Sequence, residues 1–113
     1  MLRSIIFWAS LPFIAPQALR IRQHALRLEP AAGPSSGVVG NGPALRLLAI
    51  GDSIIAGVGA STLDKALVGR TAECLAVSLG RAVCWQAIGR SGIRSGGVLE
   101  ELLPLLPTAA ADV

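Results

Sequence analysis

The stretch Leu47 to Gly59, L-L-A-I-G-D-S-I-I-A-G-V-G, decides how this chain is read. A continuous apolar run of strand length delivers Asp52 and Ser53 into a turn bracketed by Gly51, Gly57 and Gly59. Continuous rather than alternating apolar residues mark a strand covered on both faces, as in a parallel sheet. Arg46–Ile50 is therefore expected as a buried parallel strand. In open α/β sheets ligands bind at the carboxyl ends of the strands, which makes Ser53 a candidate nucleophile by position. The same residues also suit an ordinary strand-to-helix connection, in which Asp52 or Ser53 accepts a backbone N–H at the start of a helix.

Working outward, Lys65–Leu79 has helical spacing at Leu67, Thr71, Leu75 and Leu79, with Gly80 as its stop. A second short apolar run, Ala82–Trp85, leads into Q-A-I-G-R-S-G-I-R-S-G-G, Gln86 to Gly97, which is a second glycine-rich turn. Ser95–Leu106 then reads as a helix with Val98, Leu99, Leu102 and Leu103 on its inner face, bent or ended near Pro104. Strand, helix, strand, helix is the pattern of an α/β fold built from parallel crossover units. Two glycine-rich turns at the same edge of such a sheet would face one another.

G-D-S-I-I-A-G-V-G followed by A-I-G-R-S-G resembles the first two sequence blocks of the SGNH/GDSL hydrolase family. The resemblance covers about Leu45 to Val113. It implies a flavodoxin-like parallel sheet with flanking helices and an esterase or lipase-like acyl hydrolase activity. By the same resemblance Ser53 is the nucleophile and an oxyanion N–H donor, and Gly92 supplies a second oxyanion N–H. Ile54 stands where the family usually has leucine. The implied substrate is a small-molecule or lipid ester, and the implied mechanism requires no metal or organic cofactor. The family's third block, G-x-N-D, and its late D-x-x-H are not found in this sequence. The final residues A-A-A-D-V read as the lead-in to a third strand, so the expectation is a chain carrying about half of the catalytic apparatus and lacking the catalytic Asp and His. The alternative expectation is a non-catalytic, truncated, membrane-tethered remnant of such a hydrolase.

Three segments are expected: 1–28, hydrophobic and basic; 29–44, a Pro/Gly/Ser-rich linker; and 45–113, the hydrolase-like portion. Ile5 to Leu19 is apolar but only 15 residues long and is interrupted by Pro12 and Pro16, nearer a signal-peptide core or re-entrant anchor than a full span. Arg20, Arg22 and Arg27 follow it and Arg3 alone precedes it, which favours a membrane-associated chain whose body stays on the cytoplasmic side. Export by a cleaved or uncleaved signal segment is the other outcome for such a segment.

The chain has 113 residues, a formal net charge of +3, 52% hydrophobic and 15% charged residues, a composition that argues against disorder. The excess charge resides in residues 1–44, while residues 45–113 balance six basic against six acidic groups. Binding nucleic acid requires a clustered basic face with aromatic or motif support, and the body offers neither. A dinucleotide loop is also disfavoured: Gly57-Val58-Gly59 begins G-x-G, but Thr62 occupies the place of the third glycine, and no G-K-[ST] occurs. His24, the sole histidine, lies among arginines and reads as solvated or interfacial. Asp52 reads as a loop-stabilising acceptor rather than a catalytic acid. Cys74 and Cys84 lack metal-ligand spacing and are expected as buried free thiols.

Overall fold

Two eight-residue strands of matching length form the centre of the molecule, β2 at Ala44–Gly51 and β3 at Ala82–Gly89, with β1 at Ser36–Val39 preceding them in the chain. The computed structural model describes residues 1–113. β2 and β3 pair in parallel over their whole length, from Ala44 opposite Ala82 to Gly51 opposite Gly89. β1 pairs antiparallel with the other side of β3, giving a three-stranded mixed sheet in the order β1-β3-β2. The strands expected at Arg46–Ile50 and Ala82–Trp85 are therefore present and longer. The sheet as a whole is mixed rather than purely parallel.

The antiparallel strand corrects the expected linker at 29–44. Ser36–Val39 belongs to the sheet, and the Ala31 and Ala32 N–H groups donate to the carbonyls of Ala56 (3.1 Å) and Ser61 (3.1 Å). The Pro/Gly/Ser composition hid a strand because an edge strand needs few apolar side chains when its backbone is paired on one side. The body thus begins near Glu29, whose carbonyl accepts the Gly59 N–H at 3.1 Å.

Helix α2, Leu67–Leu79, follows a 3₁₀ turn at Leu63–Lys65 and packs on one face of the sheet. It ends at Gly80 in the left-handed conformation (φ 59°), as expected of that residue. Its buried side is Val68, Ala72 and Ala76, with Leu67 and Leu79 about half exposed. The stripe expected from Leu67, Thr71, Leu75 and Leu79 is thus displaced by one position, with Leu75 alone of the four packed against the core from its margin. Both sets have the same i, i+4 spacing, and the small alanines win because they let the helix sit close to Val83 and Trp85. The core is completed by Leu45, Leu47, Leu63, Ala66 and Ala87. Burying each of the Val or Leu side chains contributes about 1.5–3 kcal/mol.

Near the start of α2, the Thr62 hydroxyl beside Asp64 holds that carboxyl below the usual carboxylate range. Arg70 pairs with Glu73 at 2.8 Å, which raises the guanidinium pKa further. Cys74 is exposed on α2 and Cys84 half-buried in β3, both free, which corrects the expectation that both thiols are buried.

After β3 the expected helix at Ser95–Leu106 is an irregular run: α3 at Ser95–Gly97, a π turn at Val98–Leu102 and a 3₁₀ turn at Leu103–Leu105. Gly96 and Gly97 favour helix weakly, and Pro104 has no N–H to continue an α-helical ladder. Only Leu102 is buried, whereas Leu99 and Leu103 are exposed. The inner face expected from Val98, Leu99, Leu102 and Leu103 fails because i→i+5 bonding widens the turn and rotates those positions apart. Beyond it, the Asp112 and Val113 N–H groups donate to the Arg46 carbonyl (2.9 and 3.2 Å), and the Leu48 N–H donates to the Val113 carbonyl (3.0 Å). That offset is the hydrogen-bond pattern of a parallel neighbour on the outer edge of β2.

Helix α1 spans Leu2–His24, 23 residues, and runs through both Pro12 and Pro16. None of it is buried. At 1.5 Å per residue it is about 34 Å long, longer than the 15-residue apolar run alone implied. It is long and apolar enough to span a membrane or to act as a signal segment.

Candidate active site

Ser53 and Gly92 lie on turns that leave the same edge of the sheet, because β2 and β3 run in parallel and end together at Gly51 and Gly89. The Arg90 N–H donates to the Gly51 carbonyl at 3.1 Å, tying the base of one turn to the base of the other. Gly89 makes this closeness possible: a Cβ there would lie 2.7 Å from the Ile55 carbonyl carbon and closer still to the Ala56 nitrogen. Only a residue without a side chain fits.

The first turn is wound by its own backbone. The carbonyls of Asp52, Ser53 and Ile54 accept the N–H groups of Ala56 (3.0 Å), Val58 (3.1 Å) and Gly57 (3.2 Å). Asp52 Oδ1 accepts the Ile54 N–H at 3.1 Å, the loop-stabilising role read for it from the sequence. The Ser53 side chain is half-buried, and no side chain is hydrogen-bonded to its hydroxyl. The second turn closes through the Ile93 N–H and the Arg90 carbonyl (3.4 Å), with Gly92 at its third position and φ of +78°. A type II turn requires this positive φ at that position, which accounts for glycine there. The N–H groups of Ser53 and Gly92 have no partner in the chain.

Between the turns and the start of α2 is a crevice of about 420 Å³, bordered by Asp52, Ile54, Leu67, Ile93, Arg94 and Val98. Ser53 and Gly92 adjoin these residues in sequence but are not part of the crevice wall. A separate cleft of about 280 Å³ lies among Arg46, Leu48, Cys84, Gln86 and Pro107, away from both turns. His24 is not brought to Ser53: it is exposed on the last turn of α1, and its Nδ1–H donates to the Arg20 carbonyl at 2.9 Å. No three His, Cys, Asp or Glu side chains come together as a metal site would require.

Two supports of the site have no sequence signature. Glu29 to Ala32 holds the far side of the first turn through backbone bonds, and such bonding is independent of side-chain identity. Arg90 forms an ion pair with Glu101, linking the second turn to the irregular helical run that follows it. Arg-to-Glu spacing of eleven residues across a turn follows no local rule. No family model, curated protein or solved structure matches this chain.

Proposed function

We propose that this chain carries the nucleophile-bearing portion of an SGNH/GDSL-type serine ester hydrolase, attached to a membrane through α1. The observation that supports it most is the pairing of Gly51 with Gly89, which brings the G-D-S turn and the A-I-G-R-S-G turn to one sheet edge with two unpartnered N–H groups. In this reading Ser53 Oγ attacks the ester carbonyl carbon, and the N–H groups of Ser53 and Gly92 hold the developing oxyanion. The alkoxide leaves, and water releases the acyl group from Ser53. The serine proton passes to a general base supplied from outside residues 1–113, since Asp52 is committed to the Ile54 N–H and His24 to α1. The fold reading is flavodoxin-like. The parallel members run in the order β3, β2 and the Asp112–Val113 segment, which matches the 2-1-3 start of that sheet, with β1 as an added antiparallel edge.

The membrane part of the proposal rests on α1. Ile5, Ile6, Phe7 and Trp8 are all exposed, and four consecutive residues at about 100° intervals encircle a helix. A helix apolar on all sides suits a lipid interior better than a water interface. Arg20, Arg22 and Arg27 after the apolar run, against Arg3 before it, orient the body toward the cytoplasm.

The unpartnered Ser53 hydroxyl favours a second reading, a non-catalytic tethered domain. Hydrolysis of short-chain p-nitrophenyl esters separates the two. Residues 1–113 alone are expected to be no faster than their Ser53→Ala variant. Positioned general-base help is worth about 10² to 10⁴ in rate, and an oxyanion donor about 10² to 10³. A polypeptide in which residues 1–113 are continued by G-x-N-D and D-x-x-H segments is expected to gain activity that Ser53→Ala abolishes. Activity that survives Ser53→Ala there would reduce Ser53 to a turn residue.

A further inference from the structure

α1 ends at His24, and Ala25 leaves it in an extended conformation (φ −62°, ψ 129°). The change of direction brings Arg27 beside the last helical turn. Leu19, Arg22, Gln23, Ala25 and Arg27 border one cleft of about 560 Å³. Its apolar lining is Leu19 and Ala25, and its charged members are two guanidiniums. Neither is in an ion pair: the chain's ion pairs are Arg70 with Glu73 and Arg90 with Glu101. The sequence holds no Asp or Glu before Glu29, so residues 1–28 provide no internal counterion for this cleft.

We propose that Arg22 and Arg27 form a binding site for the phosphate headgroup of an anionic phospholipid. This inference rests on the membrane reading of α1 above and deepens it by naming the lipid class. With α1 inserted, the Leu19 to Arg27 segment lies where the apolar run gives way to charge, which is the level of lipid headgroups. Planar guanidiniums match phosphate oxygens in paired hydrogen bonds, and long arginine side chains keep their stems in apolar surroundings while the heads reach the interface. A zwitterionic headgroup offers its phosphate already paired with its own cation, so the two arginines select for net negative charge. Each basic residue near an anionic surface contributes roughly fivefold in partitioning, or about 30-fold for the two.

The test measures partitioning of the full chain, diluted from detergent, onto floated vesicles. One set is phosphatidylcholine alone and the other is equimolar phosphatidylcholine and phosphatidylglycerol. The native chain is expected to bind both and to prefer the anionic set. Arg22→Gln/Arg27→Gln is expected to lose that preference by about 30-fold while binding neutral vesicles as before. Both positions are exposed, so the substitutions leave the core intact. Lys65→Gln, an exposed change of charge in the body, is expected to behave as the native chain. An equal loss in Lys65→Gln would replace the cleft with diffuse attraction and overturn the proposal. Equal native binding to both vesicle sets would overturn the headgroup site and leave the membrane reading standing. Failure to bind either set would overturn the membrane reading and the site together.

Discussion

Two glycines at the candidate site act for different reasons, and substitution separates them. At Gly89 a Cβ meets the backbone of Ile55 and Ala56, which cannot retreat without opening the paired ends of β2 and β3. At Gly92 a Cβ meets nothing within 4 Å, and only the positive φ opposes it. Gly89→Ala is expected to destabilise the body by about 1–3 kcal/mol, as overpacking does. Gly92→Ala is expected to cost about 1–2 kcal/mol through left-handed strain alone. Urea unfolding followed by fluorescence of the buried Trp85, in a Trp8→Phe background, measures both. A Gly89→Ala midpoint equal to the native one would show that the two turns are not in close backbone contact. The sequence carried part of this residue-level detail. Asp52 was legible because an aspartate two residues before an N–H on a turn bonds locally. The requirement at Gly89 was not, because the atoms that enforce it lie more than thirty residues away in the chain.

Among the elements, β2 and β3 were legible and α2 was legible in extent but not in orientation. Continuous apolar runs set the strands, and Gly80 set the end of the helix. Which side of α2 faces the sheet depends on how near the helix comes, and spacing alone is silent on distance. Leucine at 67 and 79 suggests a stripe that stays half exposed, whereas Leu75 packs at the margin of the core and Ala72, fully buried, marks the line of closest approach. Ala72→Leu is therefore expected to destabilise by about 1–3 kcal/mol, since no space remains between helix and sheet. Leu79→Gln, on a half-exposed position at the end of the helix, is expected to stay within about 0.5 kcal/mol of the native chain. The same unfolding curves decide it, and reversed magnitudes would restore the stripe through Leu79. β1 and the irregular run after β3 escaped the sequence for a shared reason: backbone pairing holds the first and a prolyl residue with two glycines distorts the second, and neither leaves an apolar period to read.

The whole molecule is elongated, with extents of 63 × 27 × 24 Å and a radius of gyration of 19.9 Å, against ~13 Å for a compact domain of this length. Only 14 residues are buried, and all of them lie between Leu45 and Leu102. α1 adds length without adding core, since none of its residues is buried. The division between α1 and the body is the feature on which sequence and structure differ most, and it fixes how the proposed membrane attachment must be tested. The expected linker placed the start of the body near residue 45, yet Glu29, Ala31 and Ala32 brace the Ser53 turn and Ser36–Val39 covers the edge of β3. A chain begun at Pro43 would lose that strand and expose the β3 edge to pairing with other chains. Its sedimentation would then report aggregation rather than membrane attachment. A chain begun at Glu29 keeps every sheet contact and removes α1 together with Arg20, Arg22 and Arg27. In fractionated cells the full chain is expected in membranes and to remain there through a high-salt wash, because apolar burial is not screened as charge is. The chain begun at Glu29 is expected in the soluble fraction. Recovery of both in the soluble fraction would mean that α1 does not hold the protein to a membrane, whatever its length and composition.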